Sequence, residues 1–313
     1  MNSPISTEQQ APASLDFFVV ENRQNETLAS CRESAQRAGE RLHVLASTDA
    51  GPDYAAFQRA YIHLSSNPPA FEMICFRRYF LLRRHFEGRA PSERFVLIDS
   101  DVLLFPGIGA HVLRLVGNAD FSGSYITADE WDPCQISPHV SYWTVAGLRA
   151  FTDHVLATYT HETGIAQLQA IAERFAAQGL HGGISDMTLL HLWAQSSGNT
   201  AAINRVRDSA VIDHNINITH NYQACEFRTR GGAKQVTFVQ GTPYLTTREG
   251  VHVKVMALHF QGSAKLVMNN ALNARMGQVA LMSFAIRLAR TVKAFIYGIS
   301  TSLRRNSAAR PPL

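Results

Sequence analysis

Residues 94–105 read Arg-Phe-Val-Leu-Ile-Asp-Ser-Asp-Val-Leu-Leu-Phe, so two carboxylates, Asp99 and Asp101, interrupt an otherwise apolar strand. A run this dense in Phe, Val, Leu and Ile fits the middle of a parallel sheet covered on both faces. Two unpaired carboxylates cannot be buried at its end, because an isolated buried charge is far less stable than the same charge in water. In open α/β sheets, ligands sit beyond the carboxyl ends of the strands, and carboxylates there commonly share Mg²⁺ with substrate phosphates. The pair therefore points to a divalent-cation site. The plain alternative is a strand end with two solvated aspartates.

The flanking pattern supports such a sheet. Residues 15–20 (LDFFVV) and 41–46 (RLHVLA) read as strands, with a helix over 25–38 between them and Gly39 as its stop. This βαβ opening predicts an α/β fold, a mostly parallel sheet flanked by helices. The second strand ends in the polar loop Ser47-Thr48-Asp49, which makes Asp49 a candidate contact for a base or ribose. Residues 71–86 are strongly helical and carry arginines. Strands are predicted over 119–126 and 140–145, and helices over 148–159, 165–177 and 185–195, the last capped by Ser185 or Asp186. Residues 200–260 read as short β segments and 266–305 as helix. The run His139-Val140-Ser141-Tyr142-Trp143 offers aromatic and polar groups for an acceptor site, or plain core.

With 46% hydrophobic and 17% charged residues, a packed core is expected. Length suits one enzyme domain with appendages: a disordered leader over 1–14, a catalytic domain over 15–266 and a tail over 267–313. The leader lacks a signal-peptide pattern, and no apolar stretch is long enough to span a bilayer. The four cysteines have no zinc-like spacing and read as reduced thiols, so a cytoplasmic protein is expected. The formal charge of +4 conceals an asymmetry: residues 270–313 carry seven basic and no acidic side chains, which leaves the rest mildly acidic. That distribution does not suit nucleic-acid binding along a broad face. In the tail, Leu281, Phe284, Leu288, Val292, Phe295, Ile299 and Leu303 recur at helical spacing, opposite Arg287, Arg290, Lys293, Arg304 and Arg305. Such an amphipathic helix suits either an anionic membrane surface, making the protein peripheral on the inner face of the cell membrane, or packing against the catalytic domain.

Three further pieces extend the acidic pair. Phe76-Arg77-Arg78-Tyr79-Phe80-Leu81-Leu82 precedes it, Gly182-Gly183-Ile184-Ser185-Asp186 follows about eighty-five residues later, and Leu258-His259-Phe260-Gln261-Gly262-Ser263-Ala264-Lys265 comes last. In this order they resemble glycosyltransferases of the GT-A fold, a Rossmann-like architecture, and in particular the glycogenin and lipopolysaccharide galactosyltransferase group, family eight. The last piece is similar to that family's HFxGxxKPW motif, although Leu266-Val267 replaces the Pro-Trp. The loop reads Ser-Asp-Met where the family has an Asp-Gln pair. The resemblance spans residues 15–266.

It implies a metal-dependent transfer of a sugar from a nucleotide sugar, a UDP-sugar by the family's habit, to a glycan or lipid-linked acceptor with retention of configuration. Asp99, Asp101 and His259 would hold Mn²⁺ or Mg²⁺. Gly262 would let the backbone approach the diphosphate, and Lys265 would pair with the leaving phosphate. Arg78 would contact the donor sugar or the acidic pair, and Asp186 would face the reacting sugar. The residues themselves suit that chemistry, since a cation and a lysine aimed at a departing diphosphate stabilise the charge that builds there. Asp186 suits a base on an acceptor hydroxyl, a charge facing an oxocarbenium ion, or a simple helix cap. Two other functions share the DxD pattern: a haloacid-dehalogenase-like phosphatase with Asp99 as nucleophile, and an inactive carbohydrate- or nucleotide-binding protein.

Overall fold

The computed structural model describes residues 15–125, 134–179, 182–217, 226–230, 233–275 and 277. The expected leader and the amphipathic pattern from Leu281 onward lie outside them.

The chain opens as expected, with Asp16–Val20 (β1), Glu26–Ala38 (α1) and Arg41–Leu45 (β2). Asn25 caps α1 by accepting from the Leu28 N–H, and Gly39 ends it in the left-handed conformation (φ 75°). Two helices follow, Gly51–Ala60 (α2) and Pro69–His85 (α3). Next come Arg94–Ile98 (β3), Val102–Leu104 (β4), Ile108–Val116 (α4), Phe121–Tyr125 (β5) and Ile136–Thr144 (β6). Three helices, Val145–Thr160 (α5), Glu162–Ala177 (α6) and Asp186–Ser197 (α7), lead to Thr200–Ala202 (β7).

The main sheet has the order β2-β1-β3-β6-β5-β7. Strand β6 is antiparallel to both its neighbours and the other five run one way, so the sheet is mostly parallel. Both faces are covered. Successive side chains alternate between two cores: Phe17, Val19, Val96 and Ile98 enter one, and Phe18, Phe95 and Leu97 the other. The apolar run of β3 follows directly from that double burial.

A second sheet and a separate two-stranded ribbon form from the short segments anticipated over 200–260. The strands there are Ala210–Ile212 (β8), Thr229–Arg230 (β9), Ala233–Lys234 (β10), Val236–Val239 (β11), Thr242–Thr246 (β12) and His252–His259 (β13). Strands β9 and β10 pair with each other, whereas β11, β12, β13 and β4 line up in that order with β8 on β13. After a 3-10 turn at Gly262–Val267, Met268–Leu272 (α8) packs on α1, where Arg37 Nη1 donates to the Leu272 carbonyl at 2.9 Å. The packed body thus continues past residue 266.

Three differences from expectation bear on the site. The predicted single strand over 94–105 is two strands in two sheets, broken at Asp99-Ser100-Asp101. Strand β6 is longer than predicted and buried along its whole length, because it lies between β3 and β5 with a core on each face. Helices α2 and α4 were not anticipated; Gly51-Pro52 and Pro106-Gly107 each sit at a helix start, where proline and left-handed glycine are tolerated.

One core residue has a pH consequence. His111 on α4 is fully buried with neither ring nitrogen bonded, and burial, reinforced by Arg114, holds its pKa down to about 4. The unfolded chain takes up this proton near 6.5 and the folded chain only near 4, so the protein loses stability as pH falls between those values. His111→Leu should flatten that loss. Melting temperatures at pH 7 and pH 5 are the check, and an equal drop in wild type and variant would refute it.

Candidate metal centre

Asp99 and Asp101 sit at the corner where the chain leaves the main sheet for the second one. The Asp99 N–H donates to the His139 carbonyl on β6 at 2.9 Å, and the Asp101 carbonyl accepts from the Phe260 N–H at 2.9 Å. That second bond continues the β4–β13 ladder, in which His259 pairs with Val102. The register therefore delivers His259 to Asp101, with Nε2 at 3.6 Å from Oδ1. His259 Nδ1 lies 2.6 Å from the His214 carbonyl and must donate to it, since a carbonyl only accepts. A neutral His259 then presents the Nε2 lone pair toward Asp101, the arrangement typical of a metal-ligating histidine. One donor atom from each of Asp99, Asp101 and His259 lies within 4.8 Å of the others. Two carboxylates and an imidazole suit Mn²⁺ or Mg²⁺ in hardness, with the imidazole leaning toward Mn²⁺.

Lys265, in the 3-10 turn, reaches Asp101 Oδ2 at 3.0 Å and keeps 46% of its side chain exposed. Gly262 begins that turn in the left-handed region (φ 62°), with nothing within 4 Å of where a Cβ would stand. Lys265 therefore flanks Asp101 on a side open to solvent.

The other wall comes from α3 and α7. Arg78 bonds Asp99 Oδ1 through Nη1 at 2.6 Å and Asp186 Oδ2 through Nη2. The Tyr79 hydroxyl also donates to Asp186 Oδ2, at 2.9 Å. Asp186 is not the cap of α7. Ser185 holds that position, its N–H donating to Thr188 Oγ1, and the Asp186 carboxylate is free to turn inward, where it is 3% exposed. The preceding loop is pinned to the start of α3: Ser65 bridges Gly183, and Ser65 Oγ donates to Glu72 and sits 2.9 Å from the Gly182 carbonyl. A Cβ on Gly183, whose φ is 78°, would come within 2.4 Å of the Leu64 carbonyl oxygen, so only glycine allows this approach.

The electrostatics follow from the pairing. Desolvation raises Asp101, yet the neighbouring His259 and Lys265 outweigh it and hold the carboxyl at about 2. Desolvation pushes Asp99 up, and the neighbouring Asp101 adds to this against the pull of Arg78. Burial lowers His259, but Asp101 wins and raises it above the ordinary histidine value. Three carboxylates thus face the cations Arg78 and Lys265, with His259 beside them.

Asp49 stands apart from this cluster. It accepts from the Gly51 N–H at 3.0 Å, two residues along, and lines a depression of about 370 Å³ with Tyr54, Gln58 and Arg77. Of the two readings left open for 139–143, plain core holds for its aromatics. Tyr142 and Trp143 are 1% and 0% exposed, with Trp143 packed against Phe121, Phe151 and Trp193. Sequence reasoning missed Glu21, at the end of β1, which accepts from Arg23 and from Ser100 between the two aspartates. It also missed the buried Asp213–Lys234 ion pair behind His259. Glu21 had a local signal, since it ends an apolar strand, whereas the ion pair had none.

No protein-family model matches the chain, and no curated protein matches it in sequence. Among solved structures, it is similar to a glycosyltransferase involved in glycosylating the major capsid of PBCV-1, at 10% identity and a TM-score of 0.41, covering 83% of this chain and 99% of that one. It is also similar to mouse xyloside xylosyltransferase 1 in the apo form, at 10% identity and 0.45, covering 80% and 99%. The galactosyltransferase LgtC with donor and acceptor sugar analogues gives 13% and 0.35, covering 61% and 73%. Identities this low and scores below 0.5 carry nothing about chemistry, so function has to be read from the site itself.

Proposed function

We propose that this centre transfers a sugar from a nucleotide diphosphate donor, a UDP-sugar by resemblance, to a glycan or lipid-linked acceptor. The observation that carries the reading is the convergence of Asp99, Asp101 and His259, which come from two sheets, within 4.8 Å of one another. A divalent cation held by these three residues would supply Lewis-acid neutralisation of the diphosphate oxygens. With three carboxylates against Arg78 and Lys265, the cation would leave the cluster with one positive charge to spare, which an anionic diphosphate offsets. Lys265, half exposed beside Asp101, would swing to the leaving phosphate. The open space beside Gly262 leaves its backbone accessible to that phosphate.

Asp186 would face the reacting sugar, with Arg78 joining it to Asp99 across the site. Its Oδ2 already accepts from Arg78 and Tyr79. A negative charge fixed there suits a developing oxocarbenium ion, and the retaining course is taken from the resemblance. The phosphatase reading gains nothing from the geometry, since Asp99, its nucleophile, is tied to Arg78.

The test is calorimetric titration of UDP and a panel of UDP-sugars in MnCl₂ at pH 6 and pH 8. Nucleotide binding should require Mn²⁺ and be tighter at pH 8, because the cation must displace a proton that Asp101 holds on His259 above the usual value. Absence of any nucleotide binding with Mn²⁺ would sink the proposal.

A further inference from the structure

Behind the candidate ligand His259 lies a second imidazole that the proposed chemistry does not use. His139, on β6, is 0% exposed and stacks on His259 with ring centroids 4.3 Å apart and planes 8° from parallel. Both of its nitrogens are occupied. Nε2 lies 3.1 Å from the Asp213 carbonyl and must donate to it, which leaves Nδ1 to accept from the Ser137 hydroxyl at 3.0 Å. His139 is thereby a neutral ring of defined tautomer, and it has no lone pair left to become a further ligand.

The segment that fixes both rings is itself anchored at several points. Asp213 supplies the carbonyl for His139 and His214 the carbonyl for His259. The Asp213 N–H donates to Ala257 on β13 at 2.9 Å, and the Ile216 N–H to His259 itself at 3.0 Å. On the far side, Lys234 donates its backbone N–H to Ile216 at 2.7 Å and its ammonium to Asp213 Oδ1, and both side chains of that ion pair are 0% exposed. A fully buried ion pair is a poor source of stability compared with apolar packing, and fixing one conformation is its best-attested use. Here what it fixes is the pair of carbonyls that orient the two histidines. The backbone of His139 also holds the acidic pair, through the bond from the Asp99 N–H.

We infer that His139 is a positioning residue for the metal site: its ring, locked by Ser137 and the Asp213 segment, holds the plane of His259 so that Nε2 meets the cation. This rests on the metal reading above. Outer partners of metal-bound histidines commonly govern affinity by about 10–100-fold when removed, and a stacked ring that restricts rotation acts in the same way. The sequence spacing hides the arrangement, since His139, Asp213, Lys234 and His259 come from four separate strands or loops.

The test is MnCl₂ titration of the full chain, followed by the loss of free Mn²⁺ signal in electron paramagnetic resonance, with melting temperatures taken in chelator. His139→Ala should weaken Mn²⁺ by about 10–100-fold at temperatures where the variant remains folded. His139→Phe, which keeps a flat ring in the stack but forms neither locking bond, should recover only part of the affinity. A role in folding alone would lower the melting temperature and leave Mn²⁺ affinity of the folded protein unchanged. Should His139→Ala fail to fold, Ser137→Ala carries the test: it removes one of the two locking bonds and should weaken Mn²⁺ severalfold. Wild-type affinity in His139→Ala, or in Ser137→Ala where that replaces it, overturns the inference alone. Failure of the wild type to take up Mn²⁺ overturns it together with the metal reading.

Discussion

A protein carrying Asp101→Asn should lose Mn²⁺-dependent binding of UDP and transfer sugar at least about a thousandfold more slowly, since a lost cation removes several kcal/mol of charge stabilisation. Asp101 is the pivot of the site. It is 5% exposed, with Oδ1 toward His259 and Oδ2 held by Lys265. Asparagine keeps the shape and some hydrogen bonds, so the fold and the β4–β13 pairing should survive. What disappears is the charge that would bind the cation and that keeps His259 and Lys265 from repelling each other. The expected signature is therefore a folded protein with normal circular dichroism and no Mn²⁺-induced rise in melting temperature with UDP. Metal-dependent nucleotide binding at wild-type strength in Asp101→Asn would remove the aspartate from the centre.

The largest effect on stability is expected at Arg78. Its guanidinium is the counter-ion for two carboxylates, Asp99 and Asp186, and only 13% of its side chain is exposed. Arg78→Met keeps the apolar stem but leaves both acids without that partner. Removing one member of a buried ion pair typically costs about 3–5 kcal/mol, because the remaining charge is left uncompensated. At about 2–4 °C per kcal/mol for a chain of a few hundred residues, the melting temperature should fall by roughly 10 °C. The double variant Arg78→Met with Asp186→Asn should recover part of that loss, since one uncompensated charge is then gone. Asp186→Asn alone should bind Mn²⁺ and UDP normally while losing transfer, which separates the sugar side of the site from the metal side. Additive losses in the double variant would show that Arg78 and Asp186 are not coupled.

The metal side of this site was legible because its residues carry strong local patterns. Two aspartates ending an apolar strand create a charge problem that a cation resolves, and His259 through Lys265 form a recognisable string. Arg78 and Asp186 were candidates with open alternatives. For Asp186 the helix-cap alternative falls because Ser185 occupies the cap, a distinction of one residue that only the backbone path settles. Tyr142 and Trp143 stood open between an acceptor surface and core because a strand's pattern does not reveal what covers each of its faces. Packing by α5 and α7 decides it for Trp143, and the core on the other face for Tyr142. His139, Asp213 and Lys234 carry no pattern at all, since their chemistry exists only in contacts made between distant segments.

The amino-acid sequence alone determined the α/β class, the double burial of β3 and the need to neutralise charge at its end. These follow from side-chain periodicity and the energetics of isolated charges, both of which act locally along the chain. Only the tertiary structure decided that the acidic strand breaks between two sheets, that register carries His259 to Asp101, and that a second histidine backs the first. Those outcomes depend on strand pairing across long separations, where free energy comes from contacts that no window of sequence contains.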